Sequence, residues 1–203
     1  AIPVTGTIVS GTYTDENIKN YAHGMFQSVY DYPYLSSSAN HIFDITAGYA
    51  SDSELSSSDN PQNAKKINVY NQLAQVLVGH DVTGNIQNFD QDGDITAGGT
   101  KMRECFFLNF ARLLSKDEIK KGSFTTEIYV DGLSEEPSGS VTVSDYGAET
   151  SFKVNSPTGE YGILYTSSAT PNTDSGVGHI YYQAGIAVLT ASVFSRATGS
   201  GGA

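Results

Sequence analysis

Alternating hydrophobic and polar positions fill the second half of the chain and predict β-strands. The alternating stretches are short, and glycine, proline, asparagine and aspartate separate them at intervals typical of sandwiches or barrels. In the first half, the same alternation predicts strands near residues 5–12 and 41–49. The strands predicted after residue 100 lie near 104–113, 123–131, 139–145, 150–154, 160–166, 178–183 and 185–193.

A different periodicity, of three to four residues, predicts one long amphipathic helix over about residues 61–78. Asn60 is a good N-cap, and Pro61 suits the first helical position because its missing N–H costs nothing there. Gly79 favours a left-handed C-terminal cap. The stripe must pack against an apolar partner, which the strands supply as a sheet. Its members are Ile67, Tyr70, Leu73, Ala74 and Leu77.

These patterns together predict an α+β fold that is mainly β. We expect an antiparallel sheet or sandwich in the C-terminal half, with the 61–78 helix packed on it. A shorter helix is predicted over residues 18–26. We divide the chain into an N-terminal segment of strand, helix and loop (1–60), a core of helix and β-strands (61–196) and a flexible Gly/Ser-rich tail (197–203).

The charge of the chain narrows the classes of partner. There are 22 acidic residues against 11 lysines and arginines, a formal net charge of −11. Binding to nucleic acid or to an anionic membrane requires a basic face, so we expect neither partner. No apolar stretch approaches the length needed to span a bilayer. The one cysteine, Cys105, excludes a disulfide within the chain and is predicted to be a small buried thiol.

One segment resembles a metal-binding loop. Oxygen-bearing side chains alternate from residue 88 onward, with Gly93 at the sixth position, as in the first part of an EF-hand loop. The twelfth position, where a bidentate glutamate belongs, is Gly99. Two interpretations remain open, an Asp-rich β-turn and a weak calcium site, and no other cofactor is expected. The candidate calcium ligands are Asn88, Asp90, Asp92 and Asp94.

Catalytic chemistry is not predicted by any other arrangement in the sequence. His41 and Asp44 lie near many serines, but no nucleophile-elbow motif accompanies them, and a triad is recognised by geometry rather than spacing. The pairs Asp117-Glu118 and Glu135-Glu136 lie in turn-like segments, where a solvated role is expected. We therefore expect that the chain is not an enzyme.

Two groups of residues are candidate contact surfaces. Rigid aromatic side chains are favoured at protein interfaces, and three tyrosines cluster in a predicted loop. An apolar strand over 104–113 meets a charged turn, which we predict to be the exposed tip of a hairpin with the strand over 123–131. The candidate interface residues are Tyr30, Tyr32, Tyr34, Lys116, Lys120 and Lys121.

Four blocks of sequence follow one another in a recognisable order. Residues 69–79 are the end of a helix, and 106–124 combine an aromatic strand, an Asn-Phe-Ala-Arg motif and a charged Lys-Asp-Glu-Ile-Lys-Lys-Gly-Ser-Phe turn. Residues 161–165 (Tyr-Gly-Ile-Leu-Tyr) and 182–189 (Tyr-Gln-Ala-Gly-Ile-Ala-Val-Leu) are two later strands. In this order, the blocks resemble large virion structural proteins of tailed bacteriophages, notably T4-like phages of marine and cyanobacterial hosts.

The resemblance covers about residues 65–193 and departs from the family at Lys120-Lys121-Gly122, where the family favours Asp-Pro-Gly. It implies a tail, baseplate or neck component that assembles with other virion proteins as a homo-oligomer. It also implies assembly in the host cytoplasm, location in the virion, and no catalytic residues. The alternative is a receptor- or glycan-binding module that uses the tyrosine clusters and a weak calcium site at residues 90–94.

Overall fold

An antiparallel sheet of eight strands organises the computed structural model, which describes residues 18–31, 40–57, 62–94, 98–111, 117–129, 140–166 and 176–193. The strand order is β1-β2-β3-β4-β10-β9-β8-β7, and β5 and β6 form a separate two-stranded ribbon. The predicted α+β, mainly β fold is thereby confirmed. The strands are β1 (Ile18–Asn20), β2 (Gln27–Asp31), β3 (Asn40–Tyr49), β4 (Glu104–Asn109), β5 (Thr125–Tyr129), β6 (Ser140–Ser144), β7 (Lys153–Asn155), β8 (Gly159–Leu164), β9 (Gly178–Tyr181) and β10 (Ile186–Thr190).

Two α-helices and a short 3-10 helix complete the described elements. They are α1 (Asn63–Leu77), α2 (Ala148–Ser151) and the 3-10 helix Glu54–Ser57. Gly79 ends α1 as predicted: its φ is 95° and its N–H donates to the Ala74 carbonyl at 3.0 Å.

The N-terminal cap and the amphipathic character of α1 are not confirmed. Residue 62 caps the helix without a side-chain hydrogen bond, and the predicted cap, Asn60-Pro61, lies outside the described residues. The helix buries Tyr70, Ala74 and Leu77, yet Val76 is 59% exposed. Polar and apolar side chains are therefore only partly segregated around α1.

The backbone of α1 lies directly against β3 at Gly48. A Cβ at this position would lie 2.9 Å from the Tyr70 nitrogen and 3.0 Å from the Lys66 carbonyl oxygen. Tyr70 is fully buried; its hydroxyl donates to the Met102 carbonyl at 2.8 Å and accepts the Phe89 N–H at 3.2 Å. Helix α1 thus fixes the segment that precedes β4 against the same face of the sheet.

Each face of the central strands carries its own apolar core, because successive side chains on a strand point to opposite faces. On β10, Ile186 and Val188 join the core beneath α1, whereas Ala187 and Leu189 join a second core with β6 and α2. On β4, Cys105 and Phe107 belong to the first core and Leu108 to the second. The predicted alternation along this strand and the predicted burial of Cys105, which is 2% exposed, are confirmed.

The predicted hairpin between the 104–113 and 123–131 segments is wrong. Strand β4 pairs with β3 on one side and with β10 on the other, while β5 pairs with β6. The prediction joined neighbours in sequence, but a strand that is buried on both faces belongs in the centre of a sheet, where distant strands flank it.

The predicted helix over 18–26 is also wrong, because this stretch forms β1 and the turn that leads back into its antiparallel partner β2. Gly24 adopts a φ of 64°, and its N–H donates to the Tyr21 carbonyl at 2.9 Å, so the chain turns back where a helix would continue. Strands β1 to β3 belong to the same sheet as β4, joined by the β3–β4 pairing. The predicted strand over 5–12 and the tail over 197–203 lie outside the described residues.

Candidate functional site

The candidate calcium loop forms a tight turn that gathers three carboxylates. The Gly93 N–H donates to the Asp90 carbonyl at 3.0 Å, and Gly93 has a φ of 69°. One oxygen from each of Asp90, Asp92 and Asp94 lies within 4.8 Å of the others. Asp90 is buried, whereas Asp92 and Asp94 are half-buried. Three of the four predicted ligands are therefore close enough together to contact one cation.

The buried carboxylate of Asp90 already has a cationic partner, because the Lys101 ammonium forms an ion pair with it. A Cβ at Gly99, the position of the missing EF-hand glutamate, would lie 2.5 Å from the Asp90 carboxylate. Burial raises the pKa of Asp90, against the opposing effect of Lys101. Gly99 therefore gives Asp90 room, and Lys101 supplies the positive charge that an ion would otherwise bring.

Side chains from β7, β8 and β9 anchor the turn through its backbone. The Tyr161 hydroxyl donates to the Gly93 carbonyl at 2.6 Å, and the Lys153 ammonium donates to the Asp92 carbonyl at 2.7 Å. His179 Nε2 lies 2.6 Å from the Asp90 carbonyl oxygen. These bonds leave the carboxylates of the turn for other partners and hold its backbone in one conformation.

His179 is neutral in this arrangement. A carbonyl only accepts, so Nε2 carries the proton, and Nδ1 accepts from the Tyr181 hydroxyl at 3.2 Å. Burial is the main reason why the pKa of His179 is lowered to about 4; the bond to Asp90 acts in the opposite direction, and the nearby Lys153 makes a smaller contribution that also lowers it. His179 is thus a positioning residue for the Asp90 turn rather than a cation at neutral pH.

The turn has the chemistry of a hard-cation site that competes with a lysine. Calcium takes six to eight oxygen ligands, and three adjacent carboxylates are a partial set. Asn88, the fourth predicted ligand, is half-buried two residues before Asp90. A cation would have to displace Lys101 or share Asp90 with it. Calcium binding remains a prediction.

A serine, a histidine and an aspartate do meet near β2 and β3, but not in the order of a catalytic triad. The Ser28 hydroxyl donates to Asp44 Oδ1 at 2.5 Å, and His41 Nε2 lies 2.7 Å from the same oxygen. In a triad the histidine lies between the serine and the acid, so that it can take the serine proton. Here both side chains contact the acid directly, which orients them but does not activate Ser28.

The charged turn is held by a buried acid that the sequence did not single out. Asp145 is fully buried and accepts the N–H groups of Gly122 at 2.7 Å and Phe124 at 3.0 Å, and the Tyr182 hydroxyl at 2.9 Å. Burial raises the pKa of Asp145, and these three donors act in the opposite direction. The turn therefore rests on the second core, close to the end of β9.

The six candidate interface residues differ in their exposure and in their contacts. Lys121 is paired with Glu118 at 3.4 Å and with Glu160, and its ammonium lies 4.9 Å from the ring centroid of Phe152. Lys120 is exposed. Tyr30 is half-buried, with its ring edge-on to His41 at 5.3 Å, while the remaining three residues lie outside the described part. They are Tyr32, Tyr34 and Lys116.

Sequence reasoning missed the residues that organise both polar clusters. Asp145 and Lys101 lie in ordinary polar contexts, and their partners are distant in sequence: 23 residues separate Asp145 from Gly122, and 11 separate Lys101 from Asp90. His179 follows Gly178 in an apolar stretch, and its partner Asp90 is 89 residues away. The one sign of these roles in the sequence is that His179 is flanked by small and apolar residues.

No family model, no curated protein and no solved structure matches this chain. Among the helices that the structure describes, none has both the length and the apolar character to cross a bilayer.

Proposed function

We propose that this chain is a structural protein of a tailed-phage virion. It acts in the tail, baseplate or neck by assembling with copies of itself and with other virion proteins. The proposal rests on the sequence blocks that resemble phage virion proteins and on the way those blocks pack together.

The observation that carries the proposal is that blocks far apart in sequence lie in one sheet, within four consecutive strands. The aromatic strand β4 pairs with β10 through Phe107 and Val188. Strand β9 joins β10 to β8, where Tyr161 lies opposite Tyr181. The order β4-β10-β9-β8 thus places three of the four blocks in one sheet, with β4 next to β10 and only β9 between β10 and β8. Segments that pack against one another in a fold are expected to change together in sequence. A resemblance in several such segments therefore supports the proposal more strongly than a resemblance in one segment would.

The charged turn belongs to the same unit. The Ile119 N–H donates to the Tyr182 carbonyl at 3.1 Å, so the turn is attached directly behind β9. Lys121 lies between Glu160 on β8 and the Tyr182 ring, 5.7 Å from the ring centroid. Where the sequence has Lys-Lys-Gly in place of the family pattern, Lys121 therefore contacts acidic side chains and aromatic rings of this chain.

Within the described residues, the polar clusters act on the fold. Asp145 accepts bonds from a turn, His179 supports another turn, and Asp44 joins β2 to β3. Polar side chains that are hydrogen-bonded within the fold are typical of a structural protein whose function depends on its surface. This use of the polar residues favours assembly over catalysis.

Sedimentation velocity of the purified full chain tests the proposal. We expect the apparent mass to rise with concentration as copies associate, and we expect the chain to bind purified tail or baseplate subassemblies. A chain that stays monomeric at every concentration and binds no virion component would contradict the proposal.

The acidic turn favours a second candidate, a calcium-assisted receptor- or glycan-binding module. Titration calorimetry with calcium, followed by a glycan array with and without calcium, tests it. The variant Asp94→Asn should weaken calcium binding, whereas Asp52→Asn, at an exposed acid paired with Arg103, should not. Absence of a calcium heat together with an array without hits would remove this candidate.

A further inference from the structure

A cavity of about 290 Å³ lies between the β1–β2 turn, β3, β4 and α1. Aromatic and apolar side chains form most of its wall, and Lys66 contributes from α1. Ligand pockets of proteins begin at about this volume and combine an apolar lining with a few polar groups. The lining residues used below are Tyr21, Met25, Phe26, Ile45, Lys66 and Phe106.

The rings of the wall suit a flat apolar ligand. Tyr21 and Phe26 are 4.9 Å apart at a tilt of 47°, so they already form an aromatic corner. Met25 and Phe106 are both half-buried beside the cavity. A thioether makes favourable contacts with ring edges, and aromatic pairs prefer offset or tilted arrangements. A single aromatic ring suits this lining, and the space is large enough to hold one.

Lys66 adds an unpaired positive charge to the apolar wall. Its side chain makes no ion pair or hydrogen bond with the residues that the structure describes, and no acidic side chain is among the described lining residues. Burial lowers the pKa of its ammonium, since a partly desolvated cation without a partner is disfavoured. Although the chain carries a net charge of −11, Lys66 is therefore a cation that favours an anionic ligand at this cavity.

We propose that the cavity is a binding site for a small aromatic carboxylate, with the ring between Tyr21, Phe26 and Phe106 and the carboxylate on the Lys66 ammonium. A charge-assisted hydrogen bond in this partly buried place is stronger than one in water. Binding would also give Lys66 the anionic partner that it lacks.

The chain provides its own reporters for a test with benzoate. Its two methionines are Met25, which lines the cavity, and Met102, which is buried in the core and is not a lining residue. Methyl NMR of methionine-labelled protein therefore yields a signal at the site and a reference signal. Benzoate should shift the Met25 methyl saturably and leave Met102 unchanged. The neutral analogue benzyl alcohol should bind at least about tenfold more weakly.

Two variants of α1 distinguish the effect of the Lys66 charge from the effect of the net charge of the chain. Lys66→Gln should lower the affinity for benzoate at least about tenfold, whereas Lys65→Gln, at the exposed neighbour, should not. Failure of Met25 to shift at up to about 10 mM benzoate would overturn the proposal. Equal binding of benzyl alcohol, or equal losses in the two variants, would also overturn it. If Lys66→Gln does not fold, the comparison of benzoate with benzyl alcohol on the wild-type protein still tests the proposal.

Discussion

At the scale of single residues, Asp145 is the polar group on which the charged turn depends most. Three donors converge on its carboxylate: Oδ2 accepts from the Gly122 N–H and the Tyr182 hydroxyl, and Oδ1 accepts from the Phe124 N–H. A buried donor that loses its acceptor costs the free energy of its desolvation. The position of the turn behind β9 follows from these bonds.

Replacing Asp145 by asparagine tests this role without changing the shape of the side chain. The amide keeps one acceptor oxygen but replaces the other by an NH2 group, which cannot accept, so at least one of the three donors loses its acceptor. We expect the free energy of unfolding to fall by about 1 to 3 kcal/mol. Urea denaturation measures the loss. Asp81→Asn is the matched control, since Asp81 also accepts backbone N–H groups, from Thr83 and Asn85, but lies in an exposed turn. Equal losses in the two variants would contradict the account.

His179 predicts how stability depends on pH. Its folded pKa of about 4 lies below the ordinary 6.5, so between these values the unfolded chain binds a proton that the folded chain does not. Stability contributed by neutral His179 is therefore lost as pH falls through this range. The loss between pH 7 and pH 5 should be about 2 kcal/mol.

Urea denaturation of His179→Gln at both pH values isolates this effect. The variant should lose markedly less stability on acidification than the wild type does, whatever its stability at pH 7. His80→Gln, at an exposed histidine, should behave like the wild type. Parallel pH dependence in His179→Gln and the wild type would show that the buried imidazole is not the responsible group.

At the scale of elements, the contact between α1 and β3 depends on the missing side chain of Gly48. A Cβ there would meet backbone atoms of α1, which cannot rotate away as a side chain can. Gly48→Ala should therefore force helix and sheet apart and cost about 2 to 3 kcal/mol of stability, measured by thermal denaturation.

Gly24→Ala separates this steric effect from backbone strain. A Cβ at Gly24 meets nothing within 4 Å, but its φ of 64° disfavours alanine. The expected cost is about 1 kcal/mol. A Gly48→Ala variant no less stable than Gly24→Ala would show that the close approach of α1 is not needed.

Local patterns predicted elements well and partners poorly. Alternation located β4 and β10 because side-chain direction on a strand is set by the backbone. The same alternation could not show that Phe107 lies opposite Val188, since pairing depends on segments about 80 residues apart. The charged turn resembled a hairpin tip for this reason, although Asp145 and Tyr182 bind it to a different part of the fold.

The edges of the sheet bear on how copies could meet. Among the strands that the structure describes, the outermost are β1 and β7, which are three residues long, and β1 carries Lys19. Short edges with lysine resist the addition of further strands. We therefore expect assembly contacts on loops and faces rather than through a continuous sheet.

At the scale of the whole molecule, the sequence predicted the fold class and the acidic loop, but not how the loop is built. Three of four ligand positions came together, whereas the roles of Lys101 and His179 depend on contacts that no short motif encodes. The resemblance to phage virion proteins leads us to expect that the chain is located in a virion, which the geometry of the fold does not indicate by itself. Three of the four blocks that carry the resemblance lie in one sheet, in β4, β10 and β8.

The central claim, assembly into a virion, is tested most directly by an electron cryo-microscopy map of the complete particle of the phage whose genome encodes this chain. The account predicts density for the eight-stranded sheet at symmetry-related positions in the tail, baseplate or neck, with neighbouring copies in contact. A complete particle whose density is accounted for without this chain would contradict it.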